Sequence, residues 1–237
     1  ILVGFTGQIS LGHAAFFGFG AFASAYLSGK LGVPVAFAIP LAGLATALLG
    51  VIVGLPAARL KGLYLAIATL ASQFVLQDFF SRAEWFTGGA AGANANSYNL
   101  FGLSLSGDRK YIFVVLAHLV IMYLFAANLM RTRDGRAMVA VRDHYLSAEI
   151  MGINLTYYRI LAFGISSLYA GVGGALMAHY TGFVSAEAFD LLLSVNFLAM
   201  VIIGGLGSIM GSLLGTIFIF LLPEVMLGAV QKIQALG

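Results

Sequence analysis

Five ionisable side chains lie inside apolar stretches of this sequence: His13, Asp78, His118, His179 and Glu224. Amides accompany them at Gln8, Gln73, Gln77, Asn128 and Asn196. Imidazole and carboxylate together are the raw material of proton relays and acid–base catalysis. Within a bilayer such groups cost a few kcal/mol each and face a cavity or a partner. Their spacing here assembles nothing catalytic: there is no HExxH helix, no cysteine nucleophile, no close acidic pair and no acidic metal-binding run. Asp78 falls near a span end, where solvent reaches it. His118 reads as a neutral, hydrogen-bonded histidine, and Glu224 follows Pro223 as a kinking pair that is either functional or interfacial. An intramembrane enzyme would have its His and Asp but nothing to position them. Transport chemistry fits better.

The stretch from Gln8 to Ser24 stands apart. Gly4, Gly7, Gly12, Gly18 and Gly20 interrupt an apolar segment that carries Thr6, Gln8, Ser10 and His13. Irregular backbone at membrane depth is tolerated only where protein or a water-filled cavity satisfies it. The segment is therefore either a broken or re-entrant helix beside a permeation path, or an ordinary glycine-rich helix. Gln8, Ser10 and His13 are the candidates for the translocation path.

The elements that carry these residues follow from hydropathy. The chain has 237 residues, 61% hydrophobic and 9% charged. Apolar windows fall at about 1–27, 33–57, 63–80, 111–129, 160–180, 191–203 and 209–230, and a helix needs ~20 such residues to cross ~30 Å of hydrocarbon. The expected fold class is all-α, a polytopic transmembrane helix bundle with a broken or re-entrant helix. A β-barrel is excluded because the apolar residues run continuously instead of alternating. With no cysteine there are no disulfides or thiol ligands. The net charge of +3 reflects basic residues at span ends, a positive-inside bias and not a nucleic-acid surface. Arg59, Lys61 and the five arginines of 131–159 make seven basic residues on one side, against Lys30, Arg82, Arg109 and Lys110 on the other. The first set is expected to be cytoplasmic. One membrane domain covers 1–237, read as trimmed at its N-terminus, and 131–159 is a cytoplasmic loop within it.

That loop is the one polar island. Arg131, Arg133, Arg136, Arg142 and Arg159 sit there with Asp134, Asp143 and Glu149, and 29 residues is long for a connector. On a helical projection of 141–153, Val141, Tyr145, Ala148 and Gly152 share one side, with Leu146, Ile150 and Ile153 roughly opposite. Two apolar stripes suit a wedge between the membrane domain and another protein, whereas a helix lying on its own bundle needs only one. The connection 81–110 reads as a flexible external loop or as a docking or gating surface on the outer side. Small residues recur at four-residue spacing: Gly207, Gly211 and Gly215 as a ridge, Gly50 with Gly54, and Ser167, Gly171, Ala175 beside Ala170, Gly174, Ala178. In lipid this spacing lets helix backbones approach. Gly205-Leu206-Gly207 is not a dinucleotide fingerprint, because the glycines join two membrane segments and Leu227 stands where an acid is needed. No GxxxxGK[ST] loop occurs either.

Four stretches together resemble a known family. Gly4-Phe5-Thr6-Gly7-Gln8-Ile9-Ser10-Leu11-Gly12-His13-Ala14-Ala15-Phe16-Phe17 is similar to the N-terminal signature of LivM-type branched-chain amino acid ABC permeases. Thr87-Gly88-Gly89 with Gly92 resembles that family's external loop, and Ala148-Glu149-Ile150-Met151-Gly152-Ile153-Asn154 its coupling segment. The run from Val201 to Gly215 resembles its C-terminal pattern. The resemblance implies a permease subunit of an ATP-driven importer for branched-chain or related hydrophobic amino acids, in the bacterial inner membrane. It further implies a homologous LivH-like permease partner, two cytoplasmic ATPase subunits that hold the ATP and Mg, and an extracytoplasmic binding protein. No cofactor or metal would be bound by this chain. The ATPase-coupling residues would be Val141, Tyr145, Leu146, Ala148, Glu149, Ile150 and Gly152. The segment departs from the general importer motif, since Glu-Ala-Ala is reduced to Ala148-Glu149 and no Ile-x-Leu-Pro follows. Urea and short-amide permeases share this subfamily, and an ATP-independent secondary transporter or channel is the alternative of another class.

Overall fold

The computed structural model describes residues 1–100, 103–104 and 107–234. It is an all-α bundle whose only strands, among the described residues, are two-residue ladders. The elements are α1 (Leu2–Thr6), α2 (His13–Gly29), α3 (Val35–Ala57), α4 (Leu63–Arg82), α5 (Glu84–Thr87), α6 (Asp108–Arg131), α7 (Arg133–Asp143), α8 (Tyr145–Ile150), α9 (Leu155–Thr181), α10 (Leu191–Gly204) and α11 (Ile209–Gln234). Six helical stretches are long and apolar enough to cross a membrane. The N-terminal apolar window is not one of them, because the chain breaks between α1 and α2 and leaves α2 only 17 residues. Gly7, at φ +66°, closes α1 in a left-handed conformation that a Cβ would disfavour.

The bundle centres on α9, which packs against α2 and α3 over most of its length. Small side chains make this possible. A Cβ on Gly20 would overlap the Gly171 backbone, and one on Gly174 would strike the carbonyl of Phe17. On α3, Gly50 lies against Ser167 and Gly54 against Phe163. Gly50 thus meets Ser167 from the other four-residue series, Gly171 receives Thr46 of α3 and Gly20 of α2, and dispersion replaces the hydrophobic drive that lipid lacks. Gly211 and Gly215 on α11 pack against the Gly204 and Met200 backbones of α10. Gly207 does not continue that ridge. It lies before α11 begins, in the turn after α10, at φ +84° with the Arg142 guanidinium beside it.

Both ends of the bundle are tied down by hydrogen bonds. At one end the connection after α4 is held in place over its described part. Thr87 is fully buried and donates its hydroxyl to the Phe80 carbonyl at 2.6 Å. Strand β1 (Ala93–Asn94) pairs antiparallel with β2 (Phe183–Val184). Asn96 donates to the Ser28 carbonyl at 2.7 Å, while its own carbonyl lies 2.7 Å from His179 Nδ1. The other imidazole nitrogen meets Ser24 Oγ at 2.7 Å. At the other end, Arg159 donates to the Ala58 carbonyl at 3.1 Å and Lys61 Nζ sits 4.1 Å above the Tyr145 ring. Arg59, Lys61 and the charged island therefore share one face, as the loop count requires.

Candidate translocation and coupling sites

A helix that starts at membrane depth exposes backbone N–H groups with no intrahelical acceptor. At the start of α2 they are met by side chains from far along the chain. The Leu11 N–H donates to Thr69 Oγ1 at 3.0 Å, Ala14 to Ser194 Oγ at 2.9 Å and Ala15 to Gln73 Oε1 at 2.8 Å. Gly12 N–H finds Ser10 Oγ nearer by, at 3.3 Å. Gln73 is fully buried with both ends of its amide engaged: Ser194 donates to its Oε1, and its Nε2 donates to the Phe189 carbonyl at 2.8 Å. Thr69 and Gln73 stand one turn apart on α4, so one helix face caps the break. Gly12 lies so close to α4 that a Cβ would fall 2.7 Å from the Thr69 carbonyl. Among the capping residues only Gln73 stands out in the sequence, as an amide in an apolar span. The polar spacing Thr69, Gln73, Gln77 is the signal that could have extended it to Thr69. Nothing local marks Ser194.

His13, the first residue of α2, bridges two hydroxyls. Nδ1 lies 2.9 Å from Ser10 Oγ and Nε2 lies 3.2 Å from Ser166 Oγ. Ser166 sends its own proton to the Phe163 carbonyl at 3.0 Å, so its oxygen is left to accept. That assigns the proton of a neutral His13 to Nε2, with Nδ1 accepting from Ser10. The imidazole is thus held between two hydroxyls. Ser10, His13, Ser166 and Ser194 together line one side of a cavity of about 330 Å³, whose remaining walls include Phe17, Phe197, Leu198 and Val201. The chemistry on offer is a small cluster of neutral donors and acceptors against an apolar wall. Gln8 is not part of it. Its side chain is buried behind the break, where Oε1 accepts from Thr6 Oγ1 at 3.1 Å.

On the opposite side of the break, α7 and α8 form the charged island. They are not one helix: His144, at φ −145° and ψ 74°, separates them. The two-stripe projection therefore does not hold through 141–153, since the turn re-aims everything beyond it. Val141 on α7 and Ala148 on α8 are buried, both 4% exposed. Tyr145 is partly exposed and holds Lys61 over its ring. Leu146 and Ile150, one turn apart, point outward with Met151, the last two more than 80% exposed. Met151 belongs to this stripe although the projection did not select it. Glu149 is exposed and makes no ion pair among the described residues. Gly152 closes α8 at φ +83°: its N–H bonds the Glu149 carbonyl and the Ile153 N–H bonds the Ala148 carbonyl, both at 3.0 Å. This reciprocal closure requires a left-handed residue. Arg142 does more than solvate the loop. It donates to the Gly4 carbonyl and to Asp143, packs against Gly7, and so anchors α7 to α1. The same hydrogen bond holds the Asp143 carboxyl below the usual carboxylate range.

A family model described as the branched-chain amino acid transport system permease component matches residues 1–236. The chain belongs to that family. The high-affinity branched-chain amino acid transport system permease proteins LivM of Salmonella typhimurium and Escherichia coli are each 32% identical to it over 95% of its length. The autoinducer 2 import system permease protein LsrC of Salmonella typhi is 25% identical over 80%. The chain spans 59% of the length of those LivM relatives and 56% of LsrC. No solved structure matches. Membership in this permease family agrees with the six helices long and apolar enough to cross a membrane.

Proposed function

We propose that this chain is a permease subunit of an ATP-driven importer that moves branched-chain or related hydrophobic amino acids across the bacterial inner membrane. The observation that carries the reading is the 32% identity to LivM permease proteins along 95% of the chain. Its partners in this reading are a LivH-like permease, two ATPase subunits that hold ATP and Mg, and an extracytoplasmic binding protein. Leu146, Ile150 and Met151 form the surface that the ATPase covers, with Gly152 setting the end of that helix. The predominantly apolar wall of the cavity beside Ser10 and His13 supports a substrate with an aliphatic side chain. The test is transport by the reconstituted importer, comparing leucine, isoleucine and valine with urea, a short amide and autoinducer 2. Uptake of the aliphatic amino acids that stops when ATP is withheld is the expected result. Transport that persists without ATP, by a chain that never captures an ATPase, overturns the importer; preference for urea or autoinducer 2 overturns only the substrate.

In the same reading Ser10 and His13 touch the translocation path and Gln8 supports the break behind them. The chain has no native cysteine, so single cysteines report cleanly. Ser10→Cys and His13→Cys are expected to react with a small aqueous thiol reagent in at least one stage of the transport cycle, and Gln8→Cys to react far more slowly. Protection of both cavity positions throughout the cycle removes them from the path.

A further inference from the structure

We infer that the basic end of the bundle carries a binding site for an anionic phospholipid, built to hold the headgroup phosphate. Arg59 and Lys61 in the α3–α4 turn, Arg159 on α9 and Glu149 on α8 surround an open cavity of about 470 Å³. Three cations face one carboxylate there, and none of the three is ion-paired, the ion pairs among the described residues being Arg82–Asp78 and Arg142–Asp143. Arg159 spends one N–H on the Ala58 carbonyl, and Lys61 rests on the Tyr145 ring, which leaves its charge uncompensated. Leu155 and Thr156, at the start of α9, also line the cavity. Their N–H groups belong to a first turn with no intrahelical acceptors, at the positive end of a helix dipole. Cations and free N–H groups converging on one concavity are suited to an oxyanion.

Depth decides which oxyanion. Helix α9 has 27 residues, about 40 Å at 1.5 Å each, against a hydrocarbon core of ~30 Å. About 5 Å, or three to four residues, therefore projects beyond the core at each end. A centred, upright α9 places Arg159, its fifth residue, at the boundary between hydrocarbon and headgroups. Arg59 and Lys61 lie in a turn of only five residues, 58–62, too short to leave that layer. Apolar surface adjoins the turn on both sides: Leu55 on α3 and Leu63 and Tyr64 on α4 are exposed, which gives acyl chains a place to lie. Basic pockets at the ends of membrane helices on the positive side suit acidic headgroups.

The probe is phosphatidylglycerol. The full chain, extracted in neutral detergent, is offered equal amounts of phosphatidylglycerol and phosphatidylcholine, and the bound ratio is read by native mass spectrometry. The wild-type protein is expected to retain phosphatidylglycerol preferentially. The variant with both Arg59→Gln and Lys61→Gln, whose side chains are exposed, should fold normally by circular dichroism. Its selectivity should drop roughly 30-fold, two cations at ~1 kcal/mol each, while Lys30→Gln at the other end should leave it unchanged. An undiminished preference in the double variant overturns the site. Displacement of the lipid by millimolar inorganic phosphate would make it a free-phosphate site, and loss of ATPase capture with unaltered lipid selectivity would assign the cations to the partner protein; either outcome overturns the lipid assignment.

Discussion

Gln73→Leu is expected to destabilise the bundle by roughly 2–6 kcal/mol. The substitution leaves the Ala15 N–H and the Phe189 carbonyl without partners, and each buried orphan costs about 1–3 kcal/mol. Water cannot replace the amide in a fully buried site. Ser194 also loses its acceptor on Gln73, so the hydroxyl that caps Ala14 is free to rotate away. The comparison is Thr46→Val on α3. Thr46 is just as buried, but its hydroxyl donates only to the Ala42 carbonyl of its own helix, and valine keeps its shape against Gly171. That change should cost less than about 1 kcal/mol, since the carbonyl retains its helical bond. Thermal unfolding of both variants in the same detergent reads the difference. Equal melting temperatures would mean that the helix break does not depend on the amide. A large loss in Gln73→Leu alone would place the cap at the centre of the fold.

Ile150→Asp, and separately Leu146→Asp, should abolish capture of the ATPase subunits while the membrane domain stays inserted and folded. Both side chains are exposed, Ile150 at 86%, so aspartate disturbs nothing inside this chain. Covering an isoleucine-sized side chain contributes roughly 1.5–3 kcal/mol, whereas an exposed ion pair contributes ~0–1 kcal/mol. The apolar stripe therefore outweighs Glu149. Gly152→Leu should act by a separate route: nothing lies within 4 Å of a Cβ there, but φ is +83°, and a left-handed leucine costs ~1 kcal/mol or more. The end of α8 should fray, and capture should weaken without vanishing. Arg142→Ala, which would count as a mild change if the arginine were only a surface charge, removes the bond to the Gly4 carbonyl and the packing on Gly7. It should loosen α1 as well as α7. Co-purification of the ATPase subunits with each variant, with melting temperature as the control, separates the two effects. Normal capture and transport in Ile150→Asp and Leu146→Asp would return α8 to an ordinary connection.

The sequence by itself determined the helical, membrane-crossing architecture. The reason is that lipid imposes a local rule: about 20 apolar residues in a row, backbone groups satisfied within the segment, and charges at the ends. The same rule made the island at 131–159 and the shared side of Arg59 and Lys61 legible. Helix contacts were legible in part, because small residues every four positions mark a face on any helix: Gly50 and Gly54 mark the face of α3 that meets Ser167 and Phe163 of α9. The spacing misled at Gly207, where periodicity ran on through a turn that the backbone requires after Gly204. It misled again at His144, where one unusual pair of dihedral angles ends a helix that the projection continued.

What only the tertiary structure decided was how the break before α2 is satisfied and which polar groups surround it. Glycine placement between Gln8 and Ser24 allowed either a broken helix or a continuous one. The choice rests on Thr69, Gln73 and Ser194, whose partners lie 58 to 180 positions away in the chain. A backbone N–H in lipid donates to any oxygen that reaches it, so the requirement is written at the break and the supply anywhere else. Hydropathy averages over a few residues and registers the requirement alone. The same distinction sends Ser10 and His13 to the cavity and Gln8 behind it: all three are polar residues in one apolar stretch, and only the turn at Gly7 and the approach of α4 and α9 set them apart.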